Sequence, residues 1–165
     1  MPDPVDPRPS WDDTWMDVAK VVGRRSRCVR RQIGAVIINR ENRLIATGYA
    51  GPPARLKAGG PCTYWCPRSK PDAAPGASYD DCLTIHAETN ALIFVSRDSA
   101  AGGTIYVTST PCFSCAKSIS NSGLTRVVCE MDPIADAHRD PMRSILMMRA
   151  CDMIVDIRTI ERRTS

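Results

Sequence analysis

Short runs of apolar, largely β-branched residues alternate with stretches of helical spacing, and this alternation restricts the architecture more than any other feature of the chain. Residues 33–38, IGAVII, read as a buried strand. Residues 39–42 are turn material and 44–47 support a second strand, so the two are expected to pair as a hairpin. Helical patterns at 85–95, 112–122 and 141–150 then interleave with strands at 104–108, 124–129 and 153–157. Pro111 stands near the first turn of the helix expected at 112–122, and Gly123 lies just past its end, as helix boundaries favour. An earlier helix over 11–25 is marked by Trp11, Trp15, Val18, Val21 and Val22, with Ser10 as N-cap and Asp12 and Asp13 in the first turn. The pattern predicts an α/β fold: a three-layer α/β/α sandwich around a five-stranded mixed sheet, mainly parallel after the hairpin.

A chain of 165 residues can bury one core, so residues 10–160 are expected to form a single domain. The proline-rich residues 1–9 read as an extended or disordered lead-in without the apolar segment of a secretory signal. No apolar run approaches the roughly 20 residues of a membrane span. Residues 48–83 are rich in Gly, Pro, Ala and Ser, and a loop of that length is functional or held by something. The net charge of +4 suits a phosphate-bearing small ligand and does not demand DNA or RNA.

Eight cysteines without a secretory signal point to a reducing compartment, the cytoplasm, where clustered thiols bind metal more often than they pair. His86 is one of two histidines and stands two residues before Glu88 in TIHAETNAL. Downstream, TPCFSCAK places Cys112 and Cys115 three apart at a helix start, hence on one face, where the helix dipole favours thiolate. Two thiolates and an imidazole make three zinc ligands and leave the fourth tetrahedral position to water, the pattern of a catalytic rather than a structural site. Glu88 is then near the metal without coordinating it, and can move a proton between water and a substrate nitrogen. A Cys-x-x-Cys pair alone could be a redox pair or a structural clip. Combined with His-x-Glu across one strand, it is the signature of zinc deaminases that act on nucleobases.

The sequence resembles the cytidine and deoxycytidylate deaminase family, and within it the deoxycytidylate group. The likeness runs through RPSWDDTWMDVA, RRSRCVRRQIGAVI, ATGYAGPP, CLTIHAETNAL and YVTSTPCFSCAKSI, in family order over about residues 8–130. The resemblance implies a cytidine deaminase-like fold, catalytic zinc on His86, Cys112 and Cys115, and Glu88 as proton shuttle in attack of water on C4 of cytosine. It also implies that the Ala87 amide meets the base carbonyl and that main chain near Ser109 and Thr110 meets the amino group. Group members are commonly hexamers, often activated by dCTP and inhibited by dTTP, with Mg2+ accompanying a nucleotide effector. The implied reaction is dCMP to dUMP plus ammonia, and no stable nucleic-acid complex or membrane association is implied. Two departures bear on the substrate. The group reads Gly-Tyr-Asn-Gly where this chain has Gly48-Tyr49-Ala50-Gly51, and Ala50 cannot hydrogen-bond through its side chain at a position that serves sugar or nucleotide recognition. The aromatic residue often found soon after the fourth strand is absent from Glu130-Met131-Asp132-Pro133-Ile134. A modified cytosine or other aminopyrimidine nucleotide is therefore the alternative substrate. An editing deaminase on nucleic acid and a non-catalytic zinc protein are the further alternatives; the weak charge argues against the first and Glu88 against the second.

By the same resemblance, Cys28, Cys62, Cys66 and Cys82 hold a structural zinc that keeps the 48–83 loop in place; the other reading is four buried or free thiols. Cys129 and Cys151 are expected to be packing thiols. Arg24, Arg25, Arg27, Arg30 and Arg31 form a basic cluster that binds nucleotide phosphate or is a solvated helix end. His138 is expected at the surface, and Trp11 and Trp15 in the core or at a subunit contact rather than stacked on a base.

Overall fold

The computed structural model describes residues 7–56, 62, 66–69, 82–134, 136 and 139–160. Residues 1–6 of the lead-in expected at 1–9 and much of the 48–83 loop fall outside them, as does His138. The element order is α1 (Trp11–Gly23), β1 (Gly34–Ile38), β2 (Leu44–Tyr49), α2 (Ala87–Ile93), α3 (Arg97–Ala100), β3 (Thr104–Val107), α4 (Phe113–Ser120), β4 (Arg126–Met131), α5 (Pro141–Ala150) and β5 (Ile154–Thr159). A short 3-10 turn spans Pro67–Ser69.

The five strands form one sheet in the order β2-β1-β3-β4-β5. β1 is antiparallel to both β2 and β3, while β3, β4 and β5 run parallel. The sheet is therefore evenly mixed rather than mainly parallel. The connection from β2 through α2 and α3 carries the chain over β1, so β2 and β3 share a direction and β1 opposes both.

Period-two alternation sorts the strand residues onto two faces. Ala35, Ile37, Ile105, Val107, Val127 and Cys129 meet α2, α4 and α5 in the larger core. Val36, Ile38, Tyr106 and Val128 meet Met16 and Ala19 of α1 on the other face. The outcome is the three-layer sandwich expected from the sequence. Helix α1 is capped by Ser10, whose side-chain oxygen accepts the Asp13 amide at 3.1 Å. Its acidic first turn is also clamped to the sheet: Arg126 donates to both Asp12 oxygens at 2.8 and 2.6 Å, and the Tyr106 hydroxyl donates to Asp12 at 2.7 Å.

One side chain, Cys151, departs from expectation. Cys129 is buried in the core as a packing thiol, but Cys151 is exposed because it sits past the end of α5, in the turn before β5. Trp15 packs against the α1 core, with its indole N–H donating to Asn42 at 2.7 Å, whereas Trp11 stacks on Trp15 at 5.5 Å and is itself 61% exposed.

Candidate active site

The starts of α2 and α4 converge at one cavity of about 280 Å³. His86 is the N-cap residue of α2, and its side chain makes no capping hydrogen bond, which leaves the imidazole free. Cys112 is the N-cap of α4, and its sulfur accepts the Cys115 amide at 3.4 Å. The N-cap positions of α2 and α4 therefore deliver the imidazole and one thiol, and the first turn of α4 delivers the second thiol.

His86 Nδ1 lies 3.4 Å from the Cys112 sulfur and 3.3 Å from the Cys115 sulfur, and all three ligand atoms fall within 4.8 Å of one another. A tetrahedral zinc with ordinary Zn–S and Zn–N lengths has S···N edges of about 3.5 Å, so the donor set fits the metal in chemistry and in size. Among the described residues this is the one group of three or more metal-type side chains so closely gathered. Hydrogen bonding from Cys115, helped by His86, holds the Cys112 thiol down at about 3. The same contact with Cys112, together with burial, pushes Cys115 up. His86 is raised by its hydrogen bond with Cys112.

Glu88, one residue into α2, is 4% exposed. Burial pushes its carboxyl above the usual range, against the opposing pull of His86 and Arg139. Ala87, the first residue of α2, is fully buried and lines the cavity; amides of the first helical turn have no partner within the helix and are free to bind a ligand oxygen.

The other expected site residues divide. Ala50, Ser109 and Thr110 line the cavity and are buried. Both backbone groups of Ala50 are occupied: its N–H donates to Ile33 O at 3.0 Å and its carbonyl accepts Ser26 Oγ at 2.7 Å, so it offers the cavity a methyl group. Tyr49 borders a second hollow beside β2 and Phe94 instead, together with Arg27. Arg30 and Arg31 reach the cavity, whereas Arg24 is exposed at the C-cap of α1 and Arg25 is exposed next to it. Cys28, Cys62, Cys66 and Cys82 all line the same cavity. Cys66 and Cys82 lie 3.9 Å apart, sulfur to sulfur, and the Cys62 sulfur accepts the Val29 amide at 3.4 Å. Burial pushes the Cys62 and Cys66 thiols up, and the neighbouring sulfurs push in the same direction.

Among the charged residues of the cavity, two were not anticipated from sequence, Arg68 and Arg139. Neither stands in a motif. Arg139 is tied to Asp136, which was not anticipated either and is 1% exposed.

A sequence profile of the cytidine and deoxycytidylate deaminase zinc-binding region matches residues 9–131. The chain belongs to this deaminase family. It is 41% identical over 126 residues to the deoxycytidylate deaminase of Mycobacterium phage D29, covering 73% of this chain and 94% of the phage protein. It is 37% identical over 135 residues to the deoxycytidylate deaminase of Schizosaccharomyces pombe, covering 79% of this chain but 40% of the yeast protein. The deaminase fold is shared with the dCMP deaminase of cyanophage S-TIM5, crystallised with dCMP and dUMP: TM-score 0.69 at 22% identity, over 93% of this chain and 100% of the other. The family's zinc-binding character agrees with the His86, Cys112 and Cys115 cluster. Among the described residues no helix is long and apolar enough to cross a membrane.

Proposed function

We propose that the chain catalyses hydrolytic deamination of a cytosine nucleotide, with dCMP as substrate and dUMP and ammonia as products. The observation that carries this reading is the buried Glu88 beside a three-ligand cluster, in a cavity that also presents Arg30, Arg31, Arg68 and Arg139. His86, Cys112 and Cys115 would hold zinc, which supplies the Lewis acidity that makes water nucleophilic at neutral pH. Glu88 takes the proton from the attacking water and places it on N3 of the base. A bond forms between the water oxygen and C4; Glu88 then takes the remaining hydroxyl proton and delivers it to the amino group, and the C4–N bond breaks as the C4 carbonyl forms, releasing ammonia. The Ala87 amide binds the base carbonyl, main chain at Ser109 and Thr110 faces the amino group, and the guanidiniums of Arg30, Arg31 and Arg68 receive the 5′-phosphate. The D29 and fission yeast relatives are deoxycytidylate deaminases, which supports the choice of substrate.

A second reading, a modified cytosine or other aminopyrimidine nucleotide, is favoured by Ala50, whose methyl replaces a polar side chain and whose backbone groups are already used. Ammonia release from dCMP, CMP, dCTP, deoxycytidine, 5-substituted dCMP and single-stranded DNA tests both. dCMP is expected to give the highest kcat/KM, and a preference for a 5-substituted nucleotide would select the second reading.

The reading includes a structural zinc on Cys28, Cys62, Cys66 and Cys82. It is supported by the Cys66–Cys82 separation of 3.9 Å, against about 3.8 Å for an S···S edge in a tetrahedral zinc site. It further includes a cytoplasmic homo-oligomer, a hexamer by resemblance, with dCTP and dTTP as effectors and Mg2+ accompanying them. Ile93 and Phe94, exposed at the end of α2, support a subunit contact.

A further inference from the structure

One part of the cavity wall is formed by Ser109 and Thr110, which lead through Pro111 into the ligand Cys112. This wall is braced by Arg139, which itself lines the cavity. One guanidinium nitrogen, Nη2, donates to the Thr110 carbonyl at 2.9 Å; the other, Nη1, donates to Ser109 Oγ at 3.2 Å and to Asp136 Oδ1 at 3.4 Å. Asp136 also receives Arg31 Nη1 at 2.5 Å, and its second oxygen accepts the Asp132 amide at 3.1 Å. One buried carboxylate thus holds two guanidiniums of the cavity and anchors the segment after β4. Both Asp136 and Arg139 lie beyond the 9–131 region that matches the family profile.

We infer that Asp136 is a positioning residue for the deamination: through Arg139 it fixes the Ser109–Thr110 wall, and with it the start of α4, at the distance from Glu88 that the reaction needs. The inference rests on the deaminase reading above. A guanidinium fork with two anchored nitrogens holds a carbonyl in a plane, and removing the carboxylate frees the fork to rotate toward Glu88 or solvent. Thr110 has a further restraint, its hydroxyl donating to Glu130 O at 3.4 Å, an uncharged contact weaker than the charge-assisted ones of Arg139.

The test uses the purified full chain with Asp136→Asn, Arg139→Lys and the double variant. The readouts are kcat and KM for dCMP, zinc content, melting temperature and hydrogen exchange over residues 109–115. Each single variant is expected to keep its zinc and to lose about 10- to 100-fold in kcat, since small misplacement of reacting groups carries losses of that order. KM is expected to change by less than about threefold, the mark of an interaction that matters in the transition state. Exchange at 109–112 rises, and the double variant is no slower than the worse single variant, because both act through one chain of contacts. Lower melting temperature with unchanged kcat would make Asp136 a fold staple and overturn the inference. A raised KM with unchanged kcat would assign it to phosphate capture, and multiplying losses in the double variant would separate the two residues; either also overturns it. If Asp136→Asn does not fold, Arg139→Lys carries the same expectations for kcat, KM and exchange. A wild-type chain that releases no ammonia would defeat the deaminase reading itself, whereas an active wild type with unaltered variants would defeat the positioning role alone.

Discussion

Gly48→Ala probes how the fold places the catalytic carboxylate. Gly48 lies in β2 beneath α2, and a Cβ added there would stand 2.1 Å from the carbonyl oxygen of Ala87 and 2.4 Å from the amide nitrogen of Ala91. Ordinary contact begins at 3.4 Å. Both obstructing atoms are backbone, so no side chain can rotate away, and helix and strand must part by about 1 Å in a close-packed interior. Such overpacking costs about 1–3 kcal/mol, which in a domain of this size lowers Tm by about 3–10 °C. The larger effect is on rate. Helix α2 carries Glu88 and is preceded directly by His86, so its retreat changes the carboxylate's distance from a substrate held against Ser109 and Thr110. A shift of about 1 Å is expected to lower kcat by about 100-fold. Circular dichroism melts and ammonia release from dCMP measure the two effects, with zinc content recorded in parallel. A Tm and a kcat both indistinguishable from wild type would refute the argument that backbone contact at Gly48 sets the position of α2.

Replacing both Cys62 and Cys66 with Ser is expected to lower zinc from two per chain to one and to reduce Tm, because structural zinc binding is coupled to folding; one zinc in the wild type, unchanged in the variant, rejects the second site. Ala50→Asn is expected to alter the preference between dCMP and 5-substituted dCMP only if the second substrate reading holds, since a buried polar side chain discriminates strongly; an unchanged ratio of kcat/KM leaves dCMP as the simple assignment. The Asp12 carboxyl is held below its ordinary range chiefly by its hydrogen bond with Arg126, so its contribution to stability is present above the unfolded pKa of about 4 and is lost as pH falls through the lower folded value. The Tm gap between wild type and Asp12→Asn is therefore expected to be open at pH 7 and to close below about pH 4, and a gap independent of pH would count against that clamp.

Much of the fold is legible in the chain because its elements are local. Strands 33–38, 104–108 and 124–129 are short apolar runs rich in β-branched residues, and α4 is bounded by Pro111 and Gly123. Helix α3 escapes a search for periodicity because it spans only Arg97–Ala100, one turn capped by Ser96. The antiparallel placement of β1 beside β3 is a consequence of the crossover through α2, and no residue pattern marks it. The metal cluster is legible because His86-x-Glu88 and Cys112-x-x-Cys115 each form within one helix start. Arg139 and Asp136 are not, because their partners are remote: Arg139 meets Ser109 across 30 residues, and Arg31 meets Asp136 across 105. The basic cluster at 24–31 reads as one patch in sequence, but the turn after α1 splits it, so that only Arg30 and Arg31 reach the cavity.

The central claim, that Glu88 moves the proton in a zinc-dependent deamination, is tested most directly by ammonia release from dCMP in the Glu88→Gln variant, with zinc measured on the same sample. Gln is nearly isosteric and cannot shuttle a proton. The account predicts unchanged zinc content, a melting temperature at or above that of wild type because a buried carboxyl is replaced by an uncharged amide, and turnover at least about 100-fold below wild type. Ammonia release at the wild-type rate in a variant that retains its zinc would contradict it.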